Sequence, residues 1–163
     1  MKATPEFYFD PETRVATCAL REQSGRGYVG MAMCHPEDED MMSEKTGCEI
    51  ALRRMEIEAL RAYRRDELEP GLKALKQLYY SMKHSGQFNK KSYEAKMLFR
   101  QMNQKQEDID FIKEVIAQRK EELKDFIDRK DEFYKKTRKG RELKAAVAEM
   151  FSGEEDDDEE GQE

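Results

Sequence analysis

Between residues 102 and 137 apolar positions recur at alternating steps of three and four, and that spacing constrains this chain more than any other feature. Met102, Ile109, Ile112, Ile116, Leu123, Phe126 and Phe133 share one stripe. Lys105, Arg119 and Lys130 fall on the same stripe, so the pattern is an imperfect heptad that needs a partner helix. An antiparallel helical hairpin supplies one. If the chain reverses near Gln87, opposed residue numbers sum to about 175, which sets Leu78 near Met97 and Met55 near Lys120, on a hairpin about 60 Å long at 1.5 Å per residue.

The 163 residues are 37% hydrophobic and 40% charged, with no Trp, a balance that suits exposed helices with narrow apolar stripes. No apolar run approaches the roughly 18 residues needed to span a bilayer, and residues 1–9 lack the basic-then-apolar order of a signal peptide, so the expected location is cytoplasmic. Cys18, Cys34 and Cys48 are odd in number and fit reduced thiols rather than a disulfide framework.

Net charge is −6, but it is strongly partitioned. Residues 1–48 carry 5 basic and 9 acidic groups, residues 49–152 carry 25 and 19, and residues 153–163 carry 8 acidic groups and no basic one. The terminal acidic run cannot bury enough apolar surface to offset its ordering entropy, so a disordered tail is expected there.

Along the chain, Phe7-Tyr8-Phe9 precedes the turn sequence Asp10-Pro11-Glu12-Thr13, a strand spans 14–22, and Gln23-Ser24-Gly25-Arg26-Gly27 leads into a third strand over 28–34. Three such strands form an antiparallel meander with one face to be covered. Ser43 is placed to cap a helix whose stripe Cys48, Leu52, Met55 and Ala59 provides that cover. This helix is expected to run to about residue 69 and to break or kink at Pro70-Gly71. Leu72, Leu75, Tyr79 and Met82 resume the period, turn residues occupy 84–89, and a long helix starts near Ser92. Its return arm is expected to bring Phe126, Phe133 and Tyr134 toward the sheet. Gly140 is expected to interrupt it, leaving Leu143, Val147, Met150 and Phe151 on a short final helix. The fold class is α+β, in segments 1–69 (meander and covering helix), 70–139 (hairpin), 140–152 (short helix) and 153–163 (tail).

Chemistry-bearing motifs are sparse. Cys34-His35 sit side by side at a strand end, where adjacent side chains point apart, so neither a metal site nor a nucleophile–base pair is expected. Gly25-x-Gly27 is followed by a strand, the wrong context for a dinucleotide fingerprint. Glu37-Asp38-Glu39-Asp40 complement the positive end of the following helix rather than chelate a cation. No cofactor and no enzymatic activity are expected.

Basic groups gather at the hairpin end (Lys83, His84, Lys90, Lys91, Lys96, Arg100) and along Lys135, Lys136, Arg138, Lys139, Arg141 and Lys144. The second run, beside Tyr134, is a candidate phosphate-binding surface for nucleic acid. Arg53, Arg54, Arg61, Arg64 and Arg65 form a third band, partly offset by Glu56, Glu58, Asp66 and Glu67. Arg54, Tyr63, Tyr79 and Arg100 pair cations with aromatic groups. Across an interface between copies they would suit a phosphorylated small molecule. Met, Phe and Ile left beyond the hairpin seam point to a homo-oligomer.

The segment Tyr-Val-Gly-Met-Ala-Met-Cys-His-Pro-Glu-Asp-Glu-Asp-Met-Met-Ser-Glu-Lys-Thr-Gly-Cys-Glu-Ile-Ala, starting at Tyr28, resembles a strand, acidic turn and helix of small bacteriophage and prophage proteins of Gram-positive bacteria. The strand-strand-strand-helix order is also similar to the latter part of double-stranded-RNA-binding domains, whose opening helix and basic motif are absent here. In element order it is broadly similar to the anti-Thoeris sponges, phage inhibitors that trap cyclic nucleotide signals. The resemblance implies a phage accessory protein in the host cytoplasm. Such a protein interferes with a host process such as antiphage defence by binding a host protein or sequestering a phosphorylated signal. The alternative from the residues is a nucleic-acid-binding module.

Overall fold

The computed structural model describes residues 4–35, 43–86 and 89–152. Strands β1 (Glu6–Asp10), β2 (Val15–Arg21) and β3 (Gly27–Met33) form an antiparallel sheet in the order β1-β2-β3. The first turn closes because Asp10 accepts from the Glu12 amide at 3.0 Å and from the Thr13 hydroxyl at 2.6 Å. Those bonds hold the Asp10 carboxyl below its ordinary pKa, the Thr13 hydroxyl contributing most. Arg14 belongs to this turn rather than to the expected second strand, since its φ of 59° is left-handed. Gly25, at φ 85°, makes the second turn.

Side chains alternate across the sheet. Ala16 and Cys18 of β2 and Tyr28 and Ala32 of β3 are buried, with Gly30 between the last two. On this small-residue face lies α1 (Glu44–Tyr63), capped as expected by Ser43, whose hydroxyl accepts from the Thr46 amide at 3.3 Å. A Cβ added to Gly30 would overlap the Ala51 carbonyl oxygen and the Met55 amide nitrogen, and one added to Gly47 would stand 3.0 Å from the Ala16 Cβ. Helix backbone thus rests almost directly on strand backbone. Ala51, Met55 and Ala62 complete the buried core, with Phe9, Leu20, Cys48, Leu52 and Ala59 packed around it.

The helical course does not break at Pro70. It passes from α1 through a π turn (Arg64–Leu68) into α2 (Glu69–His84), with the Glu69 amide donating to the Arg64 carbonyl five residues back. The irregularity precedes the proline for a physical reason. Pro70 has no amide to donate and its ring crowds the carbonyl four residues earlier, so the wider turn just upstream relieves that contact. Arg26 in the β2–β3 turn ties the π turn to the sheet through an ion pair with Glu67 at 2.8 Å.

Helix α3 runs from Tyr93 to Ser152 without interruption. Ser92 caps it, accepting from the Ala95 amide at 3.2 Å. The expected seam is present: Leu68, Leu72 and Ile109 are buried together with Met102 and Ile112 against them, and Ile116 is also buried. Gly71 stands over the Lys105 stem and Tyr79 packs edge-on against Phe99 at 5.0 Å, close to the expected hairpin register. Leu78, which the expected register sets near Met97, is exposed, whereas the α2 stripe stands as its period predicts: Leu72 is buried and Leu75, Tyr79 and Met82 are half-buried. Met55 is committed to the sheet core, and Ile57 shares a groove with Lys120 instead.

The chain divides into compact units Met1–Lys124 and Asp125–Glu163. The expected boundaries at 69/70 and 139/140 fall inside helical structure instead. In the second unit Gly140 lies within α3, because one glycine among strong helix formers costs only about 1 kcal/mol. Phe133, Leu143 and Val147 are exposed there, so they form no covered face in the chain by itself. The side chains of Met150 and Phe151, Glu37-Asp38-Glu39-Asp40 and the acidic run at 153–163 lie outside the described residues. Among the described residues, no helix is long and apolar enough to cross a membrane.

Two substitutions test this packing. Gly30→Ala is expected to destabilise the sheet unit by about 3 kcal/mol or more in urea unfolding, because α1 must lift from β3. Gly140→Ala meets no neighbour within 4 Å and is expected to stabilise α3 by about 0.5–1 kcal/mol, read as a higher melting temperature of its helical circular dichroism.

Candidate functional site

On α1, Arg54, Ile57, Glu58 and Arg61 follow one another at helical spacing and form one stripe. With Ala51 and Met55 seated on Gly30, this stripe runs along the outer edge of β3. Arg54 Nη1 donates to the Met31 carbonyl at 2.6 Å. The ladder explains why that oxygen is available. The register pairs Val15 with Met33 through Arg21 with Gly27, and the bonds from Glu22 N–H to the Arg26 carbonyl and from Cys34 N–H to the Arg14 carbonyl continue it at both ends. The hydrogen-bonded pairs are therefore Ala16–Ala32, Cys18–Gly30 and Leu20–Tyr28. Gly27, Val29, Met31 and Met33 turn their amides and carbonyls away from β2, toward an edge where no further strand pairs among the described residues.

Beside this edge lies an open groove lined by Val29, Gly30 and Met31, by the α1 stripe, and by Lys120 and Leu123 of α3. Buried Ile57 and half-buried Leu123 provide apolar surface in it. Arg54, Arg61 and Lys120 oppose a single carboxylate, Glu58, which Arg61 meets at 3.4 Å. The outer face of the sheet next to the groove is apolar: Val29, Met31, Met33 and, on β1, Tyr8 are 52%, 59%, 73% and 68% exposed.

The residues expected to hold a phosphorylated ligand do not converge within one chain. Tyr63 ends α1 and is exposed, whereas Tyr79 stacks edge-on with Tyr80 and Phe99 on the α2–α3 seam. Arg100 lines a shallow groove whose other residues, such as Lys96, Asn103 and Glu107, all belong to α3. Arg54 and Tyr79 are 25 residues apart on a continuous helical course, or about 37 Å at 1.5 Å per residue. In the second unit Lys135, Lys136 and Lys139 are exposed and Arg138 is half-buried, next to the edge-on pair Phe133–Tyr134 at 6.0 Å. At 100° per residue these four basic groups spread over almost half the helix circumference, and Asp131 and Glu132 stand one turn before Lys135 and Lys136. They make a diffuse basic surface rather than a single stripe.

The Cys34 thiol donates to the His35 carbonyl at 3.5 Å, so it engages backbone at this point. Burial pushes the Cys18 and Cys48 thiols up, with smaller contributions from Cys48 and Glu56 at the first and from Glu44 at the second, which keeps both protonated near neutral pH. Among the described residues no three His, Cys, Asp or Glu side chains are grouped to hold a metal ion. Comparison of the chain with protein-family models, curated proteins and solved structures gives no match, so the site rests on its own geometry.

The sequence reading singled out Arg54 but not Val29, Met31 or Lys120. The signal was present in β3, where small Gly30 and Ala32 alternate with large Val29, Met31 and Met33: the set of Tyr28, Gly30 and Ala32 receives the helix and the other remains outside. Thiol burial has a direct check. With a disulfide reagent at pH 8, half-buried Cys34 is expected to react in the native protein and Cys18 only after unfolding, as mapped by mass spectrometry.

Proposed function

We propose that this protein acts by binding another protein, without catalysis, through the sheet of its first unit. The observation that carries this reading is the exposed apolar face formed by Tyr8, Val29, Met31 and Met33 beside the edge of β3 with which no further strand among the described residues pairs. Large apolar side chains gathered on one face of a small sheet, next to unpaired strand backbone, are characteristic of protein contact surfaces. The neighbouring groove is open to solvent rather than enclosed, which suits a polypeptide better than a small molecule. An accessory role for a phage, in which the bound protein belongs to a host defence process, is the biological setting that the segment beginning at Tyr28 suggests.

The test is photocrosslinking in the native cell from position 31 or 33, set against the exposed position 45 on α1. Specific protein adducts from 31 and 33, abolished by Val29→Lys with circular dichroism unchanged, are the expected result. Absence of protein adducts, or equal adducts from all three positions, refutes the reading.

A second reading, nucleic-acid binding by the second unit, is favoured by exposed Lys135, Lys136 and Lys139 beside exposed Phe133. It requires affinity for duplex or single strands that falls by about 10³ or more between 50 and 200 mM salt and weakens when those lysines become Ala. Fluorescence anisotropy with labelled oligonucleotides decides it.

A further inference from the structure

We propose that the free edge of β3 accepts an extended segment of the partner protein as a fourth strand, that this segment alternates acidic and apolar residues, and that Arg54 is its latch. The inference rests on the reading above and deepens it by naming the chemistry of the partner.

Backbone supplies the affinity. Val29 and Met33 present amides and carbonyls along the edge and Met31 its amide, while the Met31 carbonyl is held by Arg54. An incoming strand would pair with these groups in the manner of β-strand addition. Side chains on a strand alternate between faces, so the two sides of the added strand meet different surroundings. On its outer side they lie beside exposed Val29, Met31 and Met33 and complete that apolar surface. On its inner side they enter the groove, where Arg54, Arg61 and Lys120 outnumber Glu58. Carboxylates at every second position match that excess of positive charge.

Arg54 gives the edge a closed and an open condition. Free, its guanidinium covers the Met31 carbonyl and blunts an edge that would otherwise invite indiscriminate pairing. A carboxylate on the incoming strand competes for the same guanidinium and releases the carbonyl to accept a backbone amide. The latch therefore selects acidic strands over neutral ones. It also disfavours pairing of β3 with β3 of a second copy, since that would bring two sets of Arg54 and Lys120 together and β3 itself supplies no carboxylate. The chain's own acidic run at 154–160 has no apolar residue at alternate positions, so it does not fit the pattern either.

The experiment uses the full chain and a capped synthetic peptide alternating valine and glutamate over the length of β3. A control of the same composition carries its valines and glutamates in separate blocks. Calorimetry measures affinity and nuclear magnetic resonance measures amide exchange. The expected result is slowed exchange at the Val29 and Met31 amides and binding about tenfold weaker for the block peptide, for Arg54→Gln and for Lys120→Gln. Lys120 is exposed, so its substitution reads the charge requirement even if Arg54→Gln disturbs the sheet.

The strand-addition proposal is overturned if the alternating peptide does not bind at millimolar concentration, if the block peptide binds equally, or if protection falls outside β3. It is also overturned if removal of residues 153–163 exposes β3 amides already protected in the free chain, which would make the tail the occupant. Protection that grows with protein concentration alongside a dimeric mass would make a second copy the occupant, with the same consequence. Protein adducts from positions 31 and 33 without peptide binding would leave the protein-binding reading intact and remove only strand addition. Loss of the adducts with peptide binding retained would remove the protein-binding reading and the partner-strand proposal with it, leaving only a peptide affinity of the β3 edge.

Discussion

The close seating of α1 on β3 sets the rest of the first unit. At Gly30 there is no room for a Cβ, because the Ala51 carbonyl and the Met55 amide occupy that space. The contacts beside it are also small, Ala16 under Gly47 with Cys18 and Ala32, and Tyr28, Phe9 and Leu20 pack around them. A core built from small residues buries little apolar area per side chain, and backbone proximity with close packing compensates in part. It also fixes which side of α1 stands at the sheet edge. Arg54 meets the Met31 carbonyl because Ala51 and Met55 have already locked the helix phase.

The same seating decides which side chains of β3 face α1. Gly30 and Ala32, with Tyr28 at the start of the strand, lie under the helix, and Val29, Met31 and Met33 are left on the opposite face. Strand periodicity makes this unavoidable: within one strand, a residue in the face under α1 excludes its neighbours from it. The apolar face left outside lies beside the β3 edge, where no further strand pairs among the described residues.

The hairpin illustrates how a global pattern absorbs a local covalent restriction. Pro70 cannot donate to the helix ladder, and the chain accommodates it with a π turn upstream rather than a break. The hairpin register survives, with Gly71 over Lys105 and Tyr79 against Phe99, and the α2 stripe of Leu72, Leu75, Tyr79 and Met82 keeps its phase. Gly140 shows the opposite case. A glycine lacks the means to stop a helix when its neighbours all favour continuation, so α3 passes through it.

Periodicity, turn chemistry and capping made much of the architecture legible in the sequence: three short strands, the Ser43 cap, the covering stripe of α1 and the α3 seam at Ile109 and Ile116 all follow from local rules. The candidate site was legible only in part. The sequence names Arg54 as one cation of a basic band, but its bond to a strand carbonyl 23 residues earlier depends on how deeply α1 sinks onto the sheet. Likewise Lys120 reads as one more charge on an exposed helix until α3 places it beside Ile57 and the β3 edge. Local pattern determined which elements form, because propensity and alternation act over a few residues. Tertiary packing decided which edge stayed open and which charges line it, because those follow from contacts between segments far apart in the chain.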